Sequence, residues 1–407
     1  MTSMKFILIA VMLLIGDSSL SFPIPIHSTR IGQMKRCRFR SKKLFSKSRR
    51  DALVIGTSLA THPILLSLKA SAASDVEYTK PLAEVPMVRL RLPRNSLGRE
   101  YIVLKLEIDG KGPYDFMVDS GLTTEMITPH LKDVLNIKTD KAKTLTGLAA
   151  GGSTENPLVN LEGVSLCCGK FAKDNESSLK LHPLHAVVTD FVQEHIDPEH
   201  DVEGMIGMEL IEMFDVDFDF PKEKIRFWAP QTKSKKDDLV PIPAAVLNES
   251  GLEGIRVKCL DQKSGQPMLG IIDCGSSFSI MNTAAARLLD INNEDLKKSP
   301  KVMGIGIDGS PLAMPTISTQ FTFVGNAKKE VSSIVVSSFE GPPPEFQPWD
   351  PVTIAIGDLP VFSSLLGDGK HPLNVPTVLI GLDILAQRRF ILETGKGRPR
   401  NIFVEPK

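Results

Sequence analysis

Two residues in this 407-residue chain combine the type and the surroundings that chemistry needs, Asp119 and Asp273. Each ends an apolar run and is followed by x-Gly. Tyr114-Asp115-Phe116-Met117-Val118 leads into Asp119-Ser120-Gly121, and Met268-Leu269-Gly270-Ile271-Ile272 leads into Asp273-Cys274-Gly275. Hydrolysing an amide requires an activated water, a proton for the leaving nitrogen and an offset for charge on the tetrahedral oxygen. Two carboxyl groups facing each other across a water can supply all three. Like charges in close contact cannot both ionise, so such a pair holds one proton in mildly acidic water. The ionised member takes a proton from the water and the protonated member polarises the carbonyl. The pair titrates as a unit, which leaves the assignment of base and acid open. A single Asp-x-Gly is a common turn; the case rests on there being two.

The two occurrences belong to an internal duplication. Downstream of the first, Met205-Ile206-Gly207 precedes Met208-Glu209-Leu210-Ile211; downstream of the second, Leu379-Ile380-Gly381 precedes Leu382-Asp383-Ile384-Leu385. The order within each half is the same. Apolar strands before each aspartate would hold it on a rigid element. Glycine after Asp-x lets the backbone close on the carboxylate and direct amide N–H groups at it.

The elements that must position these residues read as strands. Residues 88–92 and 102–108 alternate apolar and polar side chains, as do 216–220, and 222–228, 254–260, 270–273, 318–324 and 331–336 read as further strands. Asp109-Gly110 is a hairpin turn signal. Short helices are predicted at 130–135, 208–213, 284–290 and 382–388. The segment 231–238 is a polar linker between a first lobe, 84–230, and a second, 239–407. The proline-rich stretch 341–351 is expected to decorate the surface of the second lobe.

With these motifs in place, the chain resembles the pepsin-like aspartic peptidases and their half-sized relatives, the retroviral proteases, over about residues 84–407. The resemblance implies a mainly β, bilobal, pepsin-like double-barrel acid-protease fold with pseudo-two-fold lobes and few short helices. It implies Asp119 and Asp273 as the catalytic pair, with Ser120, Gly121, Cys274, Gly275 and Ser276 supporting it. Gly207 and Gly381 then belong to the strand that crosses each aspartate turn. Two glycine-rich stretches become the flaps: 146–152, with Gly147, Gly151 and Gly152, and 304–309, with Gly304 and Gly306. The sequence departs from the family at Cys274, where a hydroxyl residue is usual, and at Leu122, where pepsin has a hydroxyl touching the carboxylate. It also lacks a flap tyrosine. The implied activity is endopeptidase cleavage of an extended peptide by a monomer with no cofactor; a silent fold that binds peptides is the alternative.

Composition favours no polyanionic or acidic partner. Lysine plus arginine (48) balances aspartate plus glutamate (48), so no overall field draws nucleic acid. His182, His185, His195 and His200 are scattered without a ligand-like spacing, and no metal site is expected. Four cysteines outside the leader lack zinc spacing and read as buried thiols.

The first seventy-odd residues read as addresses. The apolar run Phe6 to Ile15 has the proportions of a secretory signal, placed at 1–21. Residues 22–48 form a basic transit-like segment opened by Phe22, and 49–72 resemble a twin-arginine signal ending in Ala70-Ser71-Ala72. The order of the three fits a thylakoid-lumen protein of a plastid, with a secreted or other endomembrane-lumen protein as the alternative, and a mature chain not inserted in the membrane.

Overall fold

The computed structural model describes residues 5–7, 11–14 and 80–407, the last interrupted at 93–95, 99, 140–143, 150–151, 168–177, 192–200, 231–235, 237, 248–250, 307–310, 326–343 and 395–399. The transit and twin-arginine segments, Cys37, His195, His200, Gly151, the strand expected at 331–336 and most of the linker lie outside the described residues.

Alternation of side chains builds the first half. Strand Glu100–Ile108 turns at Asp109-Gly110, both with positive φ (50° and 69°) as a type I′ hairpin requires, into antiparallel strand Lys111–Val118. The last residues of that second strand, Phe116, Met117 and Val118, are buried on both faces, so Asp119 follows a strand clamped from two sides. Val202–Ile206 runs parallel to it, with Ile206 opposite Val118, and antiparallel to the short strand Glu125–Ile127. The chain leaving Asp119 therefore returns through the gap beside the strand that delivered it.

The second half repeats the plan. Glu253–Cys259 pairs antiparallel with Met268–Ile272, which runs into Asp273. Thr377–Ile380 lies parallel to that strand, Ile380 opposite Ile272, and antiparallel to Ile280–Met281. Each half also carries a hairpin, Thr144–Ala149 with Gly152–Leu161 and Lys301–Gly306 with Pro311–Thr319. A short helix follows each aspartate loop. Pro129–Val134 is capped by the Thr128 hydroxyl, and Thr283–Ala286 by the Asn282 side chain. The fold is mainly β, in two halves related by a pseudo-two-fold, with few short helices. Strand order in each of its two large sheets follows an open path among the described residues.

One sheet joins the halves. Asp215–Asp219, from the first half, pairs antiparallel with Phe390–Leu392 from the second, Val216 facing Leu392 and Phe218 facing Phe390. Lys224–Trp228 and Ala83–Pro86 continue outward from it. Asp217, fully buried at this seam, is held by Arg389 from the second half at 2.9 Å through both Nε and a terminal nitrogen, and by Arg226 at 3.1 Å. A buried carboxylate needs such partners, because an unpaired one would cost several kcal/mol.

Two expectations are corrected. The stretch 341–351 does not simply decorate the surface: Phe346 and Trp349 are buried, ring against ring at 5.1 Å, and Phe346 packs edge-on to Phe323 at 4.6 Å. Arg388 fastens the stretch by donating to the carbonyls of Gln347, Pro348 and Pro406. Two helices also appear where none was predicted, Asn293–Lys298 and Pro360–Leu366.

A third feature has no counterpart in the sequence reading. Within the apolar run read as a secretory signal, Lys5–Ile7 and Val11–Leu14 are strands, the first pairing with Thr144–Ala149 and the second with Lys301–Gly306.

Candidate active site

Equivalent hydrogen bonds fix the two aspartates. The Asp119 amide donates to Ile206 O at 2.9 Å and the Asp273 amide to Ile380 O at 3.0 Å. Gly121 N–H donates to Asp119 Oδ1 at 2.8 Å, and Gly275 N–H to Asp273 Oδ1 at 2.9 Å. Met208 N–H reaches Leu122 O at 2.7 Å, matched by Leu382 N–H to Ser276 O at 2.8 Å. Gly207 and Gly381 stand where this crossing is tightest: an added Cβ would lie 2.8 Å from Leu122 O in one and 2.5 Å from Phe278 O in the other.

The structure brings the two turns together. A Cβ on Gly121 would meet the Asp273 carboxyl at 2.8 Å, and one on Gly275 would meet the Asp119 carboxyl at 2.2 Å. Both aspartates are fully buried, and among the described residues no donor other than the facing carboxyl is within reach of Oδ2 of either. Burial raises the affinity of each for a proton, pushing Asp273 up to about 6 against the pull of the Gly275 amide. Asp119 is raised well above the usual carboxylate range by burial and then by the charge of Asp273. Two carboxyls so placed resist ionising together.

The supporting residues are arranged unequally. Ser120 Oγ donates to Ile272 O at 3.1 Å and accepts from Cys274 N–H at 2.9 Å, so the first half grips the backbone of the second. Cys274 is fully buried, and burial drives its thiol far above the ordinary range, which keeps it neutral. Ser276 Oγ donates to Phe278 O at 2.7 Å. Leu122 is buried in an apolar cluster with Met117, Met126 and Met205.

The flap glycines lie in the hairpins, Gly147 and Gly152 in the first and Gly304 and Gly306 in the second. Among the described residues no three histidine, cysteine, aspartate or glutamate side chains converge as metal ligands. His185 instead meets Glu209, its Nδ1 lying 2.8 Å from Oε1.

Behind each aspartate turn sits an acidic group that the sequence reading did not single out. Glu125 is fully buried; its Oε1 accepts from Leu210 N–H at 3.0 Å while Oε2 has no donor. Burial, and then the charge of Glu209, push it up to about 8. In the second half Ser279 Oγ donates to Asp383 Oδ1 at 2.6 Å and accepts from Gly381 N–H at 3.0 Å. Burial raises Asp383 to about 6. Glu125 and Ser279 each stand six residues beyond their aspartate, so extending the internal alignment by a few positions would have found them.

A family model described as aspartyl protease matches residues 104–210, the half that carries Asp119. No curated protein matches. Among solved structures, a basic 7S globulin from soybean aligns over 80% of this chain and 96% of its own at 9% identity, with a TM-score of 0.43. Conglutin gamma, a basic 7S globulin from lupine seeds, aligns over 80% and 95% at 10% identity, TM-score 0.42. A retropepsin-like aspartic protease from Rickettsia conorii aligns over 35% and 91% at 15% identity, TM-score 0.21.

Proposed function

We propose that this chain is an aspartic endopeptidase whose single catalytic pair, Asp119 and Asp273, is supplied by one polypeptide. The observation that carries this reading is the facing of two buried carboxyls, each with Oδ1 fixed by a glycine amide and, among the described residues, with no donor but the other carboxyl near Oδ2. A buried acceptor without a partner is costly unless something outside the protein satisfies it. A water held between the two Oδ2 atoms would satisfy both.

The ionised carboxyl then removes a proton from that water as oxygen attacks the peptide carbonyl. The protonated partner gives its proton toward the carbonyl oxygen, and a proton later passes to the leaving nitrogen. No cofactor enters these steps. An extended peptide would lie across the pair, its backbone adding to the flap edges and its side chains alternating between pockets. Because both aspartates come from one chain, a monomer suffices. The one-proton state of the pair lies above the Asp273 value of about 6 and below that of Asp119; the address read from the amino-terminal segment would place the chain in a thylakoid lumen.

A second reading is favoured by one observation. Only the first half contributes a hydroxyl grip, Ser120, while Cys274 offers a neutral thiol in the corresponding place. In that reading the cleft binds peptides without cutting them. Incubating residues 73–407 with an unfolded protein at mildly acidic pH separates the two. Cleavage that disappears in Asp119→Asn and in Asp273→Asn supports the peptidase; peptide binding without cleavage over the whole pH range supports the silent fold.

A further inference from the structure

The two halves use different chemistry six residues beyond each aspartate. In the second half Ser279 stands there, and its partner Asp383 lies two residues beyond the crossing glycine, Gly381. The Ser279 hydroxyl donates to Asp383 Oδ1 at 2.6 Å and its amide to Oδ2 at 3.0 Å, while Oγ accepts from Gly381 N–H at 3.0 Å. A hydroxyl gives and takes a hydrogen bond at once, whatever the pH. In the first half the corresponding residues are Glu125 and Glu209, two carboxyls. Glu125 keeps the accepting role: Oε1 takes the Leu210 amide at 3.0 Å, and the Gly207 amide also bears on this carboxyl. The donating role is open to a carboxyl only when it is protonated.

The surroundings of Glu125 offer it no counter-charge. Leu184–Val188 runs parallel beside it, Ala186 opposite Glu125, and the titratable residue of that strand is His185. His185 is turned to Glu209, whose Oε1 lies 3.3 Å from its amide and 2.8 Å from its Nδ1. Val202–Ile206, on the other side, carries Glu203, which the Thr128 hydroxyl and His130 Nδ1 engage. The helix Pro129–Val134 that follows carries His130, Lys132 and Asp133, the last two paired with each other. Among the described residues Glu125 forms no ion pair, and no hydroxyl, amide or cationic donor reaches its Oε2. An ionised Glu125 would be a buried charge beside that of Glu209, which is why burial and then Glu209 raise it to about 8.

The groups that Glu125 holds are the ones that hold Asp119. Leu210 shares a single short helix with Met208, whose amide reaches Leu122 O in the aspartate turn. Gly207 joins that helix to Ile206, whose carbonyl takes the Asp119 amide. We propose that Glu125 is a positioning residue whose proton keeps the Asp119 turn in its working place. Protonated, it lets the helix Met208–Ile211 and the crossing strand close over the turn; ionised, it repels Glu209 and parts them. The proposal rests on the reading of Asp119 and Asp273 as a catalytic pair, and it makes the geometry of that pair depend on a proton held outside it. The dependence is one-sided, since Ser279 does the same work in the second half without titrating, and Asp383, at about 6, ionises at a lower pH. Rising pH therefore loosens the Asp119 side alone.

Hydrogen exchange resolved by mass spectrometry tests this in the full chain from about pH 7 to about pH 9, on either side of the Glu125 value. Protection is expressed relative to the same peptides unfolded, which removes the intrinsic effect of pH. In the wild-type chain, protection of residues 116–124 and 205–212 should fall at least about tenfold across this range, and that of 270–278 and 379–386 by less than about threefold. Glu125→Gln, neutral at every pH and still able to donate, should hold the first-half peptides at their starting protection. Glu209→Gln, which removes the neighbouring charge, should keep the transition and move its midpoint toward acid. Equal loosening of both halves in the wild-type chain would overturn the proposal. So would a Glu125→Gln chain that loosens as the wild type does, or a Glu209→Gln midpoint that stays in place or moves toward alkali. Adding Asp119→Asn to each chain keeps the readout apart from hydrolysis and from the titration of the pair. A first-half transition in a chain that never cuts a peptide would leave Glu125 as the holder of the turn and remove the peptidase reading; cleavage without the transition would do the reverse.

Discussion

The backbone of Gly275 closes directly on the carboxyl of Asp119: a Cβ placed there would stand 2.2 Å from Asp119 Cγ. Gly121 and Asp273 repeat the relation at 2.8 Å. Each half thus provides the wall against which the carboxylate of the other is set. Because real side-chain atoms do not approach so closely, Gly275→Ala must displace the carboxyl or part the two turns. The expected result is a loss of about 10²-fold in peptidase rate, the size associated with misplacing a reacting group by about an ångström. The circular-dichroism spectrum should remain that of a folded β protein. An unchanged rate would mean that this close approach does not set the geometry.

Among the described residues, Ser120 is the hydroxyl that binds the halves at the pair. Ser120→Ala removes a donor to Ile272 O and an acceptor for Cys274 N–H, both buried. The expected cost is about 1–3 kcal/mol in chemical denaturation, with Ser120→Thr recovering most of it. Equal stability of the alanine variant would show that the grip is dispensable.

Cys274 invites the idea of redox control, and its environment argues against it. The thiol is fully buried and burial keeps it protonated far into the alkaline range, and only the thiolate reacts readily. Alkylating reagent at mildly alkaline pH should leave Cys274 unlabelled in the folded chain and label it after denaturation, with activity the same with and without reductant. Fast labelling of the native chain would contradict this.

The buried carboxyls predict an acid-favoured stability. Burial lifts Glu125 from 4.5 to about 8 and, against the opposing Arg400, Glu253 from 4.5 to about 7. Asp383 and Asp273 rise from 3.8 to about 6. Between the lower and upper values the folded chain binds more protons than the unfolded one, so stability falls as pH rises through that window. Melting temperature should decline from about pH 4.5 to about pH 8, and Glu125→Gln should flatten the upper part of the decline. A melting temperature that climbs through this range would be inconsistent with the buried acids being protonated.

Trp349 tests the corrected role of the proline-rich stretch. Packed against Phe346 and buried, its replacement in Trp349→Ala should destabilise the chain by about 3–5 kcal/mol. A surface residue would cost no more than about 0.5 kcal/mol.

The contrast between what was legible in the sequence and what was not has physical causes. Asp119, Asp273, Gly207 and Gly381 could be read because turn chemistry and strand alternation are local, and the duplication repeats both. The strand 216–220 was legible as alternation, but its partner Phe390–Leu392 was not, since pairing across 170-odd residues leaves no local trace. Helix Asn293–Lys298 carries a capping box, Asn292 with Asp295, a local signal that the sequence does contain. Helix Pro360–Leu366 has no side-chain cap at all, only a proline in its first turn. Phe346 and Trp349 sit among prolines, so the stretch reads as loop although tertiary packing buries its rings. Glu125 reads as the polar member of a strand; only the layer formed by the helix Met208–Ile211 over it makes it a buried acid.

The most direct measurement is the initial rate at which residues 73–407 cleave an unfolded protein at mildly acidic pH, compared with Asp119→Asn and Asp273→Asn. The wild-type chain should cleave, and each variant should be slower by at least about 10²–10⁴-fold, the usual contribution of a positioned acid or base. Equal rates in all three would contradict the shared-proton pair.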